Sequence, residues 1–200
     1  MIAVFGLGRG CGASMVARAL GAELGARDAA GAAAVACSAT LAGVPLASRS
    51  ALALARLLAD VPGAATRAVG RLCLVGGAEP LLLSDTTRHH APLVLDAGSV
   101  AVGGAPAAIA DRIVLVATPR TDPDLDVVVA AGLARVGPRP LVVVNRVRET
   151  LGDAWERRAA LTLPDSRMGA QLALGGREPR GALGVAVGRL ADAVSADTPA

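Results

Sequence analysis

Apolar positions in this chain fall into two recurring patterns. Short unbroken runs of β-branched and aliphatic residues occur at 2–5 (IAVF), 32–38 (AAAVACS), 71–76 (RLCLVG), 92–98 (PLVLDAG), 112–119 (RIVLVATP) and 140–146 (PLVVVNR). Runs of this length without polar alternation predict strands buried on both faces, as in a parallel sheet covered by helices. Ala- and Leu-rich segments with helical spacing lie between them, at 14–26, 48–60, 122–137 and 182–194. The segment PLLLS (80–84) reads as a further short strand, and 164–181 reads as a Gly- and Arg-containing loop. The alternation predicts an α/β doubly wound domain with a mostly parallel sheet of about six to seven strands and helices on both faces. It is read as a single domain over 1–194 with a frayed tail at 195–200.

Composition removes several function classes. All twenty basic residues are Arg, so no mechanism that needs lysine is available. With one Phe, one Trp and no Tyr, the chain lacks the aromatic platforms on which single-stranded nucleic acid stacks. The net charge of +3 is spread along the sequence and forms no distinct nucleic-acid patch. Cys11, Cys37 and Cys73 are widely spaced, without a CxxC, so neither a disulfide framework nor a zinc site is predicted. The opening MIAVFG has no basic run and is too short for a leader. No apolar stretch reaches membrane-spanning length, and the carboxyl-terminal helix lacks the basic face of a membrane anchor. These features predict a cytoplasmic location.

Candidate chemistry concentrates after the first strand. The loop GLGRGCGAS has glycines at 6, 8, 10 and 12 and runs into a helix start. Backbone without Cβ atoms can approach a phosphate closely, and helix amides attract anions. Two readings fit. Gly8, Gly10 and Ala13 satisfy G-x-G-x-x-A, the loop of NADP-dependent dehydrogenases, although ACSATLAG after the second strand has neither the acid nor the arginine expected to meet the ribose. The alternative is a phosphate-binding P-loop.

The second reading draws on the whole chain, which resembles the ParA/MinD family of deviant-Walker P-loop ATPases. That family's loop reads K-G-G-x-G-K-[ST]. Laid over Gly8, Arg9, Gly10, Cys11, Gly12, Ala13 and Ser14, it places both lysines on non-basic residues, Gly8 and Ala13. A GCGAS loop is similar to the divergent septum-site and pilus-assembly branch (CpaE/TadZ-like). APLVLDAGSV resembles the Walker B strand, IADRIVLVATPRTDPDLDVVVAAGL the strand closed by a Thr-Pro pair with its helix, and RPLVVVNRV the strand whose Asn meets adenine. LTLPDSRMGAQLALGGREPRG resembles the closing segment in which Pro-Asp flanks the base. The resemblance covers nearly the whole chain and is weakest over 27–90.

The resemblance implies ATP or ADP with Mg2+ held by residues 8–14 and Met15, together with Asn145, Arg146, Pro164 and Asp165. Ser14 would ligate the metal, and Asp96 would act as metal partner and catalytic carboxylate through a water. Both lysines are missing, and so is the acid after the second strand, where Cys37, Ser38 and Thr40 stand. The expectation is a degenerate positioning or scaffold factor in cell division, partitioning or pilus assembly, homodimeric and with little or no hydrolysis. An oxidoreductase using NADP, and an ATPase in which Arg9 or a partner's arginine replaces lysine, are the alternatives.

Smaller signals receive plainer readings. Cys11 is a small residue fitting the loop, His89 and His90 are solvated surface, and Asp122, Asp124 and Asp126 are helix-capping acids. The stretch 146–160 reads as an exposed face, on which Trp155 is a candidate partner-docking residue.

Overall fold

The computed structural model describes residues 1–37, 46–99 and 105–196. Its frame is an eight-stranded sheet in the order β3-β4-β2-β5-β1-β6-β7-β8. The strands are β1 (Ile2–Gly6), β2 (Ala33–Ala36), β3 (Ala65–Val69), β4 (Leu72–Gly76), β5 (Leu93–Ser99), β6 (Arg112–Ala117), β7 (Leu141–Val147) and β8 (Leu161–Pro164). Every pairing is parallel except that of β3 with β4. The helices are α1 (Ala13–Arg27), α2 (Arg49–Ala59), α3 (Pro80–Thr87), α4 (Ala105–Ile109), α5 (Pro123–Leu133), α6 (Asp153–Glu156), α7 (Arg167–Leu174) and α8 (Gly181–Ser195).

Strand periodicity sorts the core into two layers. Ile2 and Val4 of β1, with Val114 and Val116 of β6, face a layer that includes Val16 and Leu20 of α1 and Leu183, Val187 and Leu190 of α8. Ala3 and Phe5, with Ile113 and Leu115, face the opposite layer, which includes Leu54 and Leu58 of α2, Leu83 of α3 and Trp155 of α6. Both faces of the central strands are therefore covered, which is why they read as continuous apolar runs. The doubly wound architecture is as expected, with one strand more than the upper count.

Three local expectations are corrected. PLLLS is the start of α3, with Pro80 at the beginning of the helix, where its missing amide costs nothing. Residues 164–181 contain α7, whose N-cap Ser166 Oγ accepts from the Gly169 amide at 3.1 Å. Trp155 is 4% exposed, and its indole nitrogen donates to the Thr121 carbonyl at 3.3 Å, so it is core and not a docking residue. At the carboxyl end, the Ala196 carbonyl accepts from Arg112 at 2.7 Å.

Asp122 caps α5 by accepting from the Asp124 amide at 2.9 Å, but Asp126 is buried, and its Oδ1 lacks a partner. Burial raises the Asp126 carboxyl above the ordinary range, with Arg158 partly opposing the shift. A raised folded-state pKa means the fold holds the proton more tightly than the unfolded chain does. Stability is then lost as pH rises from the ordinary carboxylate range through the folded value. Asp126→Asn is expected to stabilise the protein at pH 7 by about 1 kcal/mol or more. Melting temperatures of both proteins should converge as pH falls toward about 4; a gap that does not change with pH would contradict this.

Candidate functional site

β1 lies between β5 and β6, and the chain leaves it in one direction toward β2 and continues in the other from β6 to β8. Its carboxyl end is thus the topological switch point, where doubly wound sheets form their ligand crevice. The same order opposes the dinucleotide alternative. In that fold the order is 3-2-1-4-5-6, with the first strand beside the next one in the chain; here β5 separates β1 from β2.

The loop after β1 is tightly folded. The Leu7 amide extends the β1–β6 ladder by donating to Val116 at 2.8 Å, and the Cys11 amide turns back to the Gly8 carbonyl at 3.4 Å. Gly10 (φ 75°) and Gly12 (φ 91°) take the left-handed conformation. Cys11 is buried, and a Cβ on Gly6 would stand 2.6 Å from its Sγ, so the thiol packs against the end of β1. α1 has no side-chain cap. The amides of Gly10, Gly12, Ala13, Ser14 and Met15 donate to no group among the described residues. Left-handed glycines, unspent amides and a helix start are the elements from which anion-binding loops are made.

Asn145 fixes that shape. It is 1% exposed, and its Nδ2 donates to the Cys11 carbonyl at 2.8 Å. The expected base-reading amide is therefore committed to the loop through its nitrogen. Arg146 follows at φ 62°, the one non-glycine residue with positive φ among the described residues. Between Val144 and Val147, β7 carries one residue more than β8, and this bulge turns Asn145 inward and Arg146 outward.

Two clefts flank the loop. One, of about 600 Å³, is walled by Gly8, Arg9, Gly10 and Cys11, by the β6–α5 turn (Thr118, Pro119, Arg120, Thr121), and by Arg146, Arg148, Glu149 and Asp165. The other, of about 420 Å³, lies between Gly12 and Met15 of the α1 start, Asn145, the β8–α7 junction at Pro164 and Asp165, and α7. Arg146, Arg148 and Asp165 border both. Arg148 Nε and Asp165 Oδ2 are 2.5 Å apart, so the expected base-flanking acid is already paired.

Most of the predicted residues thus meet around these clefts. Ala13 is buried beneath the loop, and Ser14 and Asp96 are half-buried and line neither cleft. Asp96 sits on β5 opposite Val4 of β1, and its Oδ1 accepts from the Gly98 amide at 3.4 Å. Of the residues after β2, Ser38 and Thr40 lie outside the described residues. His89 and His90 are exposed at a separate groove of about 830 Å³, which also includes Met1. No group of three potential metal ligands occurs among the described residues, and no helix there is long and apolar enough to cross a membrane. Burial pushes the Cys73 thiol up to about 12, which suits an inert core residue.

Sequence reasoning missed Arg120, Arg148 and the α7 wall. Arg120 follows the Thr-Pro pair that closes β6, so its nearness to the loop depends on which strands neighbour β1.

No protein-family model and no curated protein sequence matches the chain. Among solved structures it is similar to a ParA family ATPase from Chlorobium tepidum TLS, with TM-score 0.64 and 15% identity over 95% of this chain and 96% of that one. It is also similar to the MinC:MinD cell division protein complex of Aquifex aeolicus, with TM-score 0.66 and 14% identity over 100% and 97%. A third is cobyrinic acid a,c-diamide synthase from Mycobacterium smegmatis with bound ATP analog and magnesium, with TM-score 0.55 and 14% identity over 96% and 92%. These likenesses establish the ParA/MinD-type P-loop fold.

Proposed function

We propose that this chain is a nucleotide-binding positioning or scaffold protein of the ParA/MinD type whose phosphate loop is degenerate. The observation that carries the reading is the loop itself: unspent amides and left-handed glycines, braced by Asn145, beside a cleft bordered by Pro164 and Asp165. ATP or ADP is the proposed ligand, its phosphates at residues 8–15 and its base in the smaller cleft. The likeness to a synthase crystallised with an ATP analog and magnesium supports this choice.

Magnesium prefers hard oxygen ligands and keeps waters, taking one or two protein groups plus phosphates. The Ser14 hydroxyl and the Asp96 carboxylate fit that donor set. The bound ion would supply charge neutralisation on the phosphates. Ser14 would hold it directly, and Asp96 would hold it through a water. The chain offers no lysine to the outer phosphates, and neither Gly8 nor Ala13 can donate from a side chain. Transition-state charge is thus poorly met, and the proposed turnover is very slow or nil. The finer reading, a homodimeric cytoplasmic relative of the septum-site and pilus-assembly (CpaE/TadZ-like) branch acting on a division, partitioning or secretion apparatus, rests on the GCGAS loop and on likeness to a MinC:MinD complex.

Thermal-shift titration tests the reading. ADP and ATP–magnesium are expected to raise the melting temperature with concentration, and NADPH is not. Phosphate release should stay far below about one turnover per second, the low end for ordinary enzymes. Turnover at that rate, abolished by Asp96→Ala, would overturn the non-hydrolysing reading.

A further inference from the structure

A chain without lysine must neutralise phosphate in some other way. The 600 Å³ cleft is bordered by Arg9, Arg120, Arg146 and Arg148, against Glu149 and Asp165. Arg148 is engaged with Asp165. Arg9, Arg120 and Arg146 form no ion pair or side-chain hydrogen bond with any described residue. Three arginines with unspent donors therefore border one cleft, Arg9 from the phosphate loop, Arg120 from the β6–α5 turn and Arg146 from the β7 bulge, and Gly8, one of the two expected lysine positions, borders it too.

We propose that Arg120 and Arg146 form a clamp that binds the outer phosphates of a nucleoside polyphosphate in its ground state, supplying from the β6–α5 turn and the β7 bulge the affinity, and not the catalysis, of the lost lysines. The inference rests on the nucleotide reading above. A guanidinium is longer than an ammonium and presents a planar fork to phosphate oxygens, so it serves from a wall the lysine could not occupy.

Preorganisation selects these two over Arg9. The turn bearing Arg120 is cross-braced: the Thr118 amide and hydroxyl both meet the Thr121 hydroxyl at 3.0 Å, and the Thr121 amide donates to the Thr118 carbonyl at 2.9 Å. The Thr121 carbonyl in turn accepts from buried Trp155. Arg146 is held directly after the buried Asn145, which is itself bonded to the loop. Arg9 stands between Gly8 and Gly10 and must lose more backbone freedom on binding.

The test is calorimetric titration of AMP, ADP, ATP and inorganic pyrophosphate, with magnesium, into the wild type, Arg120→Gln, Arg146→Gly and Arg9→Gln. Glycine at 146 accepts the left-handed backbone, so that variant should melt no lower than the wild type. Wild-type affinity is expected to rise from AMP to ATP. Arg120→Gln and Arg146→Gly should each reduce the ATP-to-AMP affinity ratio about tenfold, the loss of one charge-assisted contact, with Arg9→Gln near the wild type. A ratio that survives both variants and collapses in Arg9→Gln overturns the clamp and leaves the nucleotide reading standing. Pyrophosphate binding that needs Arg120 and Arg146, without nucleotide binding, supports the clamp while removing the nucleotide as its ligand. Failure of all four ligands to bind the wild type overturns both.

Discussion

Replacing Gly12 with valine is expected to abolish stabilisation by ADP and to cost about 3 kcal/mol of folding stability, the sum of a strained left-handed β-branched residue and a broken buried hydrogen bond. Gly12 sits at φ 91°, and a Cβ there would stand 2.4 Å from Asn145 Nδ2. Asn145 is 1% exposed, with little room to retreat. The side chain that yields breaks the Asn145–Cys11 bond, and the loop loses the brace that holds its amides toward the crevice. Denaturant titration measures the first effect and ligand-dependent melting the second. An unchanged midpoint with an intact ADP response would mean that Asn145 does not set the loop's shape.

The other large effect is in the sheet beneath. Phe5→Ala should cost about 3–5 kcal/mol, out of a total of about 5–15 kcal/mol for a typical domain. Phe5 is 1% exposed, on a strand buried along its whole length, and lies level with Leu115 of β6. It is the chain's only phenylalanine, in a layer built mostly of Ala, Val and Leu, with Cys73, Ile113 and Trp155. Leu52→Ala, at a position 46% exposed on α2, is the control and should change stability by less than about 0.5 kcal/mol. Similar losses for the two variants would show that the layer collapses around the missing ring.

What the sequence made legible follows from burial. Strands β1, β5, β6 and β7 stand in the middle of the sheet, and their apolar runs read directly. β3 lies at the edge with a half-exposed, alternating pattern and pairs antiparallel; ATRAV carries too little hydrophobic signal to mark it. PLLLS is ambiguous by composition, because a short apolar run suits a strand or a helix start equally; Pro80 was the overlooked cue. In α7, Gly169 within the segment, the glycine pair after it and its arginine suggested a loop, while Ser166 was the unread cap. At the site, the loop, Asn145, Arg146, Pro164 and Asp165 border two neighbouring clefts. Arg120 and Arg148, which border the same cleft, were not among the predicted site residues, because their nearness to the loop is produced by strand order and not by spacing.

The Asn145–Cys11 hydrogen bond joins residues 134 apart in the chain. At about 5–20 residues per second, a ribosome needs roughly 7–27 seconds to cover that distance. The nascent loop therefore lacks this brace until Asn145 has been made. A truncated translation product ending before β7 would carry the loop's sequence without the hydrogen bond that braces it.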